Sequence, residues 1–378
     1  MKIRVGLIFS YNEQWIGGTY YIINLVHALN RLDEKTKPEL IIFSNSKDFH
    51  LLKDETKYPY LSFQLMDENP NLSGLKFLNK ISGKLFKRKM FRRKFRGAID
   101  AIFPYQKNNF LSTIPKEKRI YWIPDLQEKH YPENYSSDHL ERELAVNSVI
   151  AMNSQKLLLS SEDVLNDLKQ FYPNYKTKPY VVHFAVQHPN ISVLNELELK
   201  SKYQLPEIYF FAPNQFWKHK NQLLVIKAVK FLKSRGVDVV VFFSGKEHDG
   251  RSPGYTESLK EYVLKNDLSQ NIRFLGFIDR KEQLRIMELS LAVIQPSLFE
   301  GWSTVIEDTM ALNKVVLASD LDVNKEQLKD QGYYFDRHDP EDLARVMELI
   351  VQVKPLVSYD YIKKQLDFAR DFMNCVID

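Results

Sequence analysis

Pro296-Ser297-Leu298-Phe299-Glu300-Gly301-Trp302-Ser303-Thr304-Val305-Ile306-Glu307 decides how the rest of the chain is read. The apolar run Leu291-Ala292-Val293-Ile294 leads into it with the character of a short buried strand. Pro296 ends that strand, and Glu300 and Gly301 fall in the loop after it. Ser303 and Thr304 then open a helix that runs through Met310 to Leu312. Two carboxylates and a helix N-terminus therefore converge at the carboxyl edge of a sheet. In open α/β sheets that edge is where ligands bind. Helix-end N–H groups favour an anion such as a phosphate. A nearby carboxylate suits the hydroxyls of a sugar or ribose, because it accepts two hydrogen bonds.

A purely structural reading competes with this one. Thr304-x-x-Glu307 matches a capping box, in which Glu307 only closes its own helix end. Gly301 then only turns the chain, and Trp302 only fills core. A second stretch upstream bears on the choice. Asn214-Gln215-Phe216-Trp217-Lys218-His219-Lys220-Asn221 follows the buried strand Ile208-Tyr209-Phe210-Phe211. A helix with Leu224, Ala228 and Phe231 at i, i+4, i+7 comes next. Lys220 stands just outside that helix, where a cation neutralises a diphosphate. The alternative role of this stretch is a basic surface loop.

Strands and helices alternate through the chain. Residues 3–9, 40–43, 98–104, 120–123, 180–184, 237–244, 272–275 and 315–318 read as strands. Helices are expected at 20–29, 163–171, 280–289, 324–329, 340–351 and 359–373. This spacing implies parallel, doubly wound sheets. The stretch 186–205 is polar and lacks a period, which makes it the expected linker. Gly17-Gly18 reads as a loop between the first strand and its helix, a place where backbone approaches a phosphate or sugar closely.

Composition narrows the class. At 378 residues the chain is long enough for two domains with separate cores. The single cysteine, Cys375, allows no disulfide framework, so a reducing, cytoplasmic compartment is expected. Residues 1–9 enter a strand directly and do not read as a signal peptide, and no apolar run is long enough to span a bilayer. Net charge is only +5, but it is unevenly spread. Lys84 to Arg96 holds eight basic residues out of thirteen, interleaved with Leu85, Phe86, Met90, Phe91 and Phe95. A basic helix with an aromatic side fits an anionic membrane interface, at about 1 kcal/mol per basic residue. A solvated helix face or a nucleic-acid patch are the competing readings; the membrane surface is favoured and no nucleic-acid partner is expected.

Glu300-Gly301-Trp302-Ser303-Thr304-Val305-Ile306-Glu307-Asp308 resembles the paired-glutamate motif of retaining, nucleotide-sugar-dependent glycosyltransferases of the GT-B fold. The nearest likeness is to family 4, the bacterial polysaccharide-type group 1 enzymes. The usual string has seven residues between its glutamates; here six separate Glu300 from Glu307. The resemblance implies an α/β fold of two doubly wound Rossmann-like domains facing across a cleft. Residues 1–190 would bind the acceptor and 191–358 the nucleotide sugar, with a terminal helix in 359–378 rejoining the first domain.

The resemblance also implies roles. Glu300 would hold the donor sugar's hydroxyls, Glu307 the ribose and Lys220 the diphosphate. Gly18, Gln215, Lys218, Gly245, Phe277, Ile278, Gly301, Trp302, Ser303 and Thr304 would complete the donor site. Gln215 stands where the family has an arginine, and Lys218 is the nearby charge that could compensate. A His-Asp pair usually occupies the rim of the first domain; here Asp125 matches the aspartate, Pro124 replaces the histidine, and His130 is the substitute. A Pro-Asp turn and a surface histidine are the alternatives for these residues. The implied activity is metal-independent, retaining transfer from a UDP-, GDP- or dTDP-sugar to a hydroxyl of a glycan or lipid-linked acceptor. It implies no cofactor, and cell-surface polysaccharide (O-antigen or capsule) as the product. A nucleotide-sugar epimerase, an inverting GT-B enzyme and a non-catalytic sugar-nucleotide-binding subunit remain as alternatives.

Overall fold

A computed structural model of the chain describes residues 2–12, 16–66, 77–82, 94–247 and 252–378. Most of the basic stretch at 84–96 lies outside the described residues. Two parallel α/β lobes make up the molecule. The first contains β1 (Arg4–Ile8), β2 (Glu39–Ser44), β3 (Leu61–Leu65) and β4 (Ala101–Phe103) in the order β3-β2-β1-β4. Beside them lie β5 (Ile120–Ile123), β6 (Lys156–Leu159) and β7 (Lys178–Val181). A bridge from Ile102 to Arg119 and the bond from Tyr105 N–H to Ile120 O, 2.7 Å, stitch the two sets into one surface.

The second lobe holds six parallel strands: β8 (Phe210–Pro213), β9 (Val241–Ser244), β10 (Ile272–Phe274), β11 (Ala292–Gln295), β12 (Val315–Ser319) and β13 (Tyr333–Phe335). Their order is β10-β9-β8-β11-β12-β13. The chain winds outward from β8 through β9 to β10, then returns to β11 and winds the other way. The gap between the ends of β8 and β11 is therefore a topological switch point. Strands buried on both faces explain the continuous apolar runs at Tyr209–Ala212 and Ala292–Ile294, all buried.

The terminal helix Tyr361–Ile377 crosses back onto the first lobe. Phe368, Ala369, Phe372, Met373, Cys375 and Val376 join the core formed by β1 and helix Ile16–Asn30. Each fully buried phenylalanine there contributes about 1.5–3 kcal/mol of burial.

Three sequence expectations shift. Gly17 and Gly18 lie in the first turn of helix Ile16–Asn30 and not in a loop before it. The stretch 186–205 is not a bare linker: Glu196–Tyr203 is a helix capped by Asn195, and Leu199 and Leu205 pack into the second lobe. At eight residues the helix is too short to show a clear period. The edge strands β3, whose Leu-Ser-Phe-Gln-Leu alternates apolar and polar residues, and β13, of three residues, are additions to the strands read from sequence.

Candidate active site at the switch point

Lys220 and Glu300 are eighty positions apart in sequence yet form an ion pair, Nζ to Oε1 at 2.6 Å. The topology explains this directly, because Lys220 follows β8 and Glu300 follows β11, the two strands flanking the switch point. Both side chains are mostly enclosed, 14% and 9% exposed. The two loops are sewn together. Leu298 N–H donates to His219 O at 2.7 Å, and the Asn221 side chain donates to Pro296 O at 3.1 Å and to Arg337 O at 3.0 Å. Asn221 takes a left-handed conformation, φ 57°, at the junction between the turn Lys218–Lys220 and helix Gln222–Ser234. Asn tolerates that region better than most residues.

Behind Glu300 stands a buried amide relay. Asn214 Nδ2 donates to Gln295 Oε1 at 2.9 Å, and Gln295 Nε2 donates to Glu300 Oε1 at 2.6 Å. Gly245, φ 151°, packs on the backbone of this loop: a Cβ there would lie 2.3 Å from Asn214 O. Its role is to let β9 end against the 214–215 backbone. Gln215 is half-buried, and its carbonyl accepts from the Gln222 amide at 2.9 Å. Lys218 is exposed on the same turn.

Asp125 closes the site from the first lobe. It follows β5, and the approach of the lobes is so tight that a Cβ on Gly301 would fall 2.4 Å from Pro124 O and 2.6 Å from Asp125 Cβ. Gly301 is therefore where the two lobes meet, not simply a turn. Burial pushes the Asp125 carboxyl up to about 6; Glu128 and Glu300 add to this, while the Gln127 N–H and Lys220 oppose it. His130 lies at the same seam. Its Nε2 is 2.8 Å from Asp167 Oδ2 and its ring sits 5.2 Å from that of Phe299, the residue before Glu300. Its imidazole is held by Asp167, so the structure gives no direct link from it to Asp125.

The helix after β11 differs from expectation. Ser303, not Thr304, caps helix Thr304–Ala311, accepting from Ile306 N–H at 3.3 Å. The capping box does not form, because Glu307 then sits one position too late. Ser303 N–H is also taken, by Gln327 Oε1 at 3.2 Å, so it is not an open anion donor. Thr304 is half-buried at the first helical position.

Trp302 and Glu307 need correction. Trp302 stacks on His183 of the first lobe, 4.5 Å and 9° between rings, and its Nε1 donates to Phe184 O at 3.0 Å. It bolts the lobes together and is not displayed to a ligand. Glu307 is completely enclosed. It accepts from Trp302 Nε1 (3.1 Å), Gln327 Nε2 (2.8 Å) and Tyr361 Oη (2.5 Å), with Lys364 Nζ at 3.5 Å. Its carboxylate is spent on fastening the terminal helix and does not face the cleft as a ribose ligand would require.

Its neighbour Asp308 points elsewhere. Asp308 Oδ1 accepts from Arg280 Nη2 at 2.5 Å and lies 3.0 Å from His188 Nε2. Burial raises the Asp308 carboxyl, but Arg280 and His188 outweigh it and hold it below the usual range. Arg280 opens helix Arg280–Leu289, beyond the Gly276-Phe277-Ile278 turn, and its guanidinium lies 5.7 Å over the ring of Tyr20 in the first lobe. Asp308 thus looks toward the loop after β10 and the first-lobe helix that begins at Ile16. Seven residues separate Glu300 from Asp308, the spacing usual in the paired-glutamate motif; that count was the available signal. At the turn itself, Gly276 (φ 67°) accepts from Gly245 N–H, Phe277 is 78% exposed, and Ile278 packs on the core. Gly18 is buried near the start of its helix. A cavity of about 540 Å³ lined by Lys118, Lys156, Lys178, Tyr180 and Asp378 lies at the opposite, amino edge of the first sheet, away from these groups.

Residues 196–364 match the family model described as glycosyl transferases group 1. Over that stretch the second lobe resembles a group 1 glycosyltransferase domain, and the whole chain has a GT-B fold. The glycosyltransferase domain so matched contains Lys220, Glu300 and Asp308. Over 247 residues the chain is 24% identical to the O-antigen chain mannosyltransferase RfbU of Salmonella typhimurium, a match spanning 65% of this chain and 65% of that protein, just under two thirds of the relative's length. Two solved structures share the whole fold. A glycosyltransferase from Rickettsia africae superposes with a TM-score of 0.62 at 18% identity, covering 99% of this chain and 94% of that one. Anabaena HepE in complex with UDP and glucose superposes with a TM-score of 0.59 at 14% identity, with the same coverage.

Proposed function

We propose that the chain transfers a sugar from a nucleoside-diphosphate sugar to an acceptor hydroxyl, with retention and without a metal, in the synthesis of a cell-surface polysaccharide such as O-antigen or capsule. The observation that carries this reading is the Lys220–Glu300 pair at the switch point, facing Asp125 across the seam. The mannosyltransferase relative and the neighbour solved with UDP and glucose support the substrate class. Retention, metal independence and the product rest on the family resemblance.

In this reading the bond from the anomeric carbon to the diphosphate breaks, and the acceptor oxygen takes its place with release of a proton. Lys220 exchanges part of its attraction to Glu300 for the departing diphosphate. A fixed donor of this kind typically lowers the barrier by about 3 kcal/mol. Glu300 holds hydroxyls of the transferred sugar, and Asp125 faces the acceptor side. Asp308, as buried as Glu307 but turned toward Arg280 and His188 instead of the terminal helix, takes the ribose role, and Phe277 and Ile278 border the base. Gly18, Gly245, Gln215 and Lys218 shape the diphosphate loop. No covalent nucleophile is assigned.

Among the described residues no helix is long and apolar enough to cross a membrane. The basic-aromatic stretch 84–96 is proposed to rest on anionic lipid on the cytoplasmic side. Exposed Phe77, Leu78 and Ile81 just before it support the idea. Calorimetry with UDP, GDP and dTDP, followed by NMR of the product's anomeric centre in the presence of EDTA, tests the function. Binding of one nucleotide and a retained configuration are expected. Failure to bind any of them would favour a non-catalytic subunit, and an inverted product or an EDTA-abolished activity would overturn retention or metal independence.

A further inference from the structure

We infer that Gln295 is the positioning residue for Glu300, turning its carboxylate to the transferred sugar; this rests on the donor-sugar role proposed above. Gln295 is the last residue of β11 and is fully buried. It follows Ala292, Val293 and Ile294, all buried, so an apolar side chain would fit the strand pattern. Burying a primary amide is costly unless every group on it is bonded. Here each one is. The oxygen accepts from Asn214, and the NH₂ group donates to Glu300 Oε1 at 2.6 Å and to Ser297 Oγ at 3.1 Å.

The orientation of this amide has one solution. An ionised carboxylate only accepts, so the Gln295 NH₂ must face Glu300. Its oxygen then needs a donor, which Asn214 Nδ2 provides. Reversing both amides would place the Gln295 oxygen against the Glu300 oxygen. Asn214 is itself buried at the end of β8, so the relay runs across the switch point from one strand end to the next. Ser297 is anchored in turn, its carbonyl accepting from Ser319 Oγ at 2.6 Å.

Lys220 and Gln295 both donate to Oε1 of Glu300. Among the described residues no hydrogen bond uses Oε2, which keeps its lone pairs for a sugar hydroxyl. Lys220 alone would not fix the carboxylate plane, because an ammonium is a point charge on a flexible stem. Gln295 provides the second, rigid point. The consequence is selective: the relay acts on the sugar and not on the nucleotide.

The test compares full-length wild type with Gln295→Leu and Gln295→Glu. Two quantities are measured: affinity for the nucleoside diphosphate alone, and kcat/KM for its sugar. Leucine should leave nucleoside-diphosphate affinity within about twofold, while kcat/KM falls about 10- to 100-fold, the scale of a lost hydrogen bond to a charged group. Glutamate should be equally impaired at pH 8, where two carboxylates face each other. Its activity relative to wild type should recover as pH falls, because a protonated carboxyl donates again. Gln295→Glu keeps the shape and so keeps the test alive if leucine disturbs the fold. A folded leucine variant with wild-type turnover, or a glutamate variant without recovery at low pH, overturns the inference. A wild type that binds no nucleotide overturns the function itself, and is distinguishable because it appears before any variant is made.

Discussion

Tyr361 donates its hydroxyl to Glu307 at 2.5 Å, and this bond fastens the terminal helix to the helix that follows β11. The carboxylate it engages is the one that the local sequence offers as a ligand. Burial pushes the Tyr361 phenol well above its ordinary range, and the neighbouring Glu307 adds to this, so the hydroxyl remains a donor across the working pH range.

Glu307→Ala should therefore act on stability. It strands the Tyr361 hydroxyl and one N–H of the Gln327 amide, each costing about 1–3 kcal/mol when left unpaired, while Trp302 keeps its bond to Phe184 O. A lowered Tm, with nucleoside-diphosphate affinity of the folded fraction changed less than tenfold, is the expected result. Asp308→Asn should weaken nucleotide binding. Calorimetry on both variants checks the pair, and a Glu307→Ala protein with unchanged Tm but abolished nucleotide binding would reverse the assignment.

Lys220→Ala should reduce kcat/KM by about 100-fold, from loss of a fixed cation beside the departing diphosphate. It also leaves Glu300 without its ion pair, so part of the loss should appear in donor KM. Steady-state kinetics with the cognate donor measures this; unchanged turnover would sink the diphosphate role.

Gly301→Ala should impair activity without unfolding either lobe. The added methyl meets the Pro124 carbonyl, which is backbone and cannot rotate away. The lobes must part or the loop must shift, and a displacement of about 1 Å at a reacting centre costs about 100-fold in rate. Circular dichroism should be unchanged while small-angle scattering shows a wider molecule.

Asp125 should give the pH–rate profile an acid limb. Its carboxyl ionises at about 6, raised from 3.8 by burial. If the ionised form serves the acceptor, kcat/KM falls as pH drops through about 6. The stability effect has the opposite sign. A raised carboxyl pKa favours the folded state below the unfolded value of 3.8, and that contribution is lost as pH rises through about 6. Asp125→Asn should flatten this component of the Tm profile while abolishing the acid limb.

Much of the second lobe was legible because its strands are buried on both faces. Continuous apolar runs such as Ala292–Ile294 announce themselves, and helix Arg280–Leu289 lies where the sequence places it, its start capped by Asp279, which accepts from Lys281 and Glu282 N–H. The site was only partly legible. Lys220, Glu300 and Asp125 could be placed beyond strand ends from local pattern alone, since each lies in the loop that follows an apolar strand.

The sequence by itself determined the alternating strands and helices of a parallel α/β fold and the strand ends after which Lys220, Glu300 and Asp125 fall. These follow from local runs of apolar residues and the turns that stop them. Only the tertiary structure decided which of two adjacent carboxylates fastens the terminal helix and which turns toward Arg280 and His188. Glu307 and Asp308 are one residue apart, and on a helix that is a rotation of about 100°. The helix start at Ser303 and the packing of Tyr361 and Arg280 on either side set that rotation, and both partners come from distant parts of the chain. The same holds for Gln295, whose role depends on Asn214 at the end of a neighbouring strand.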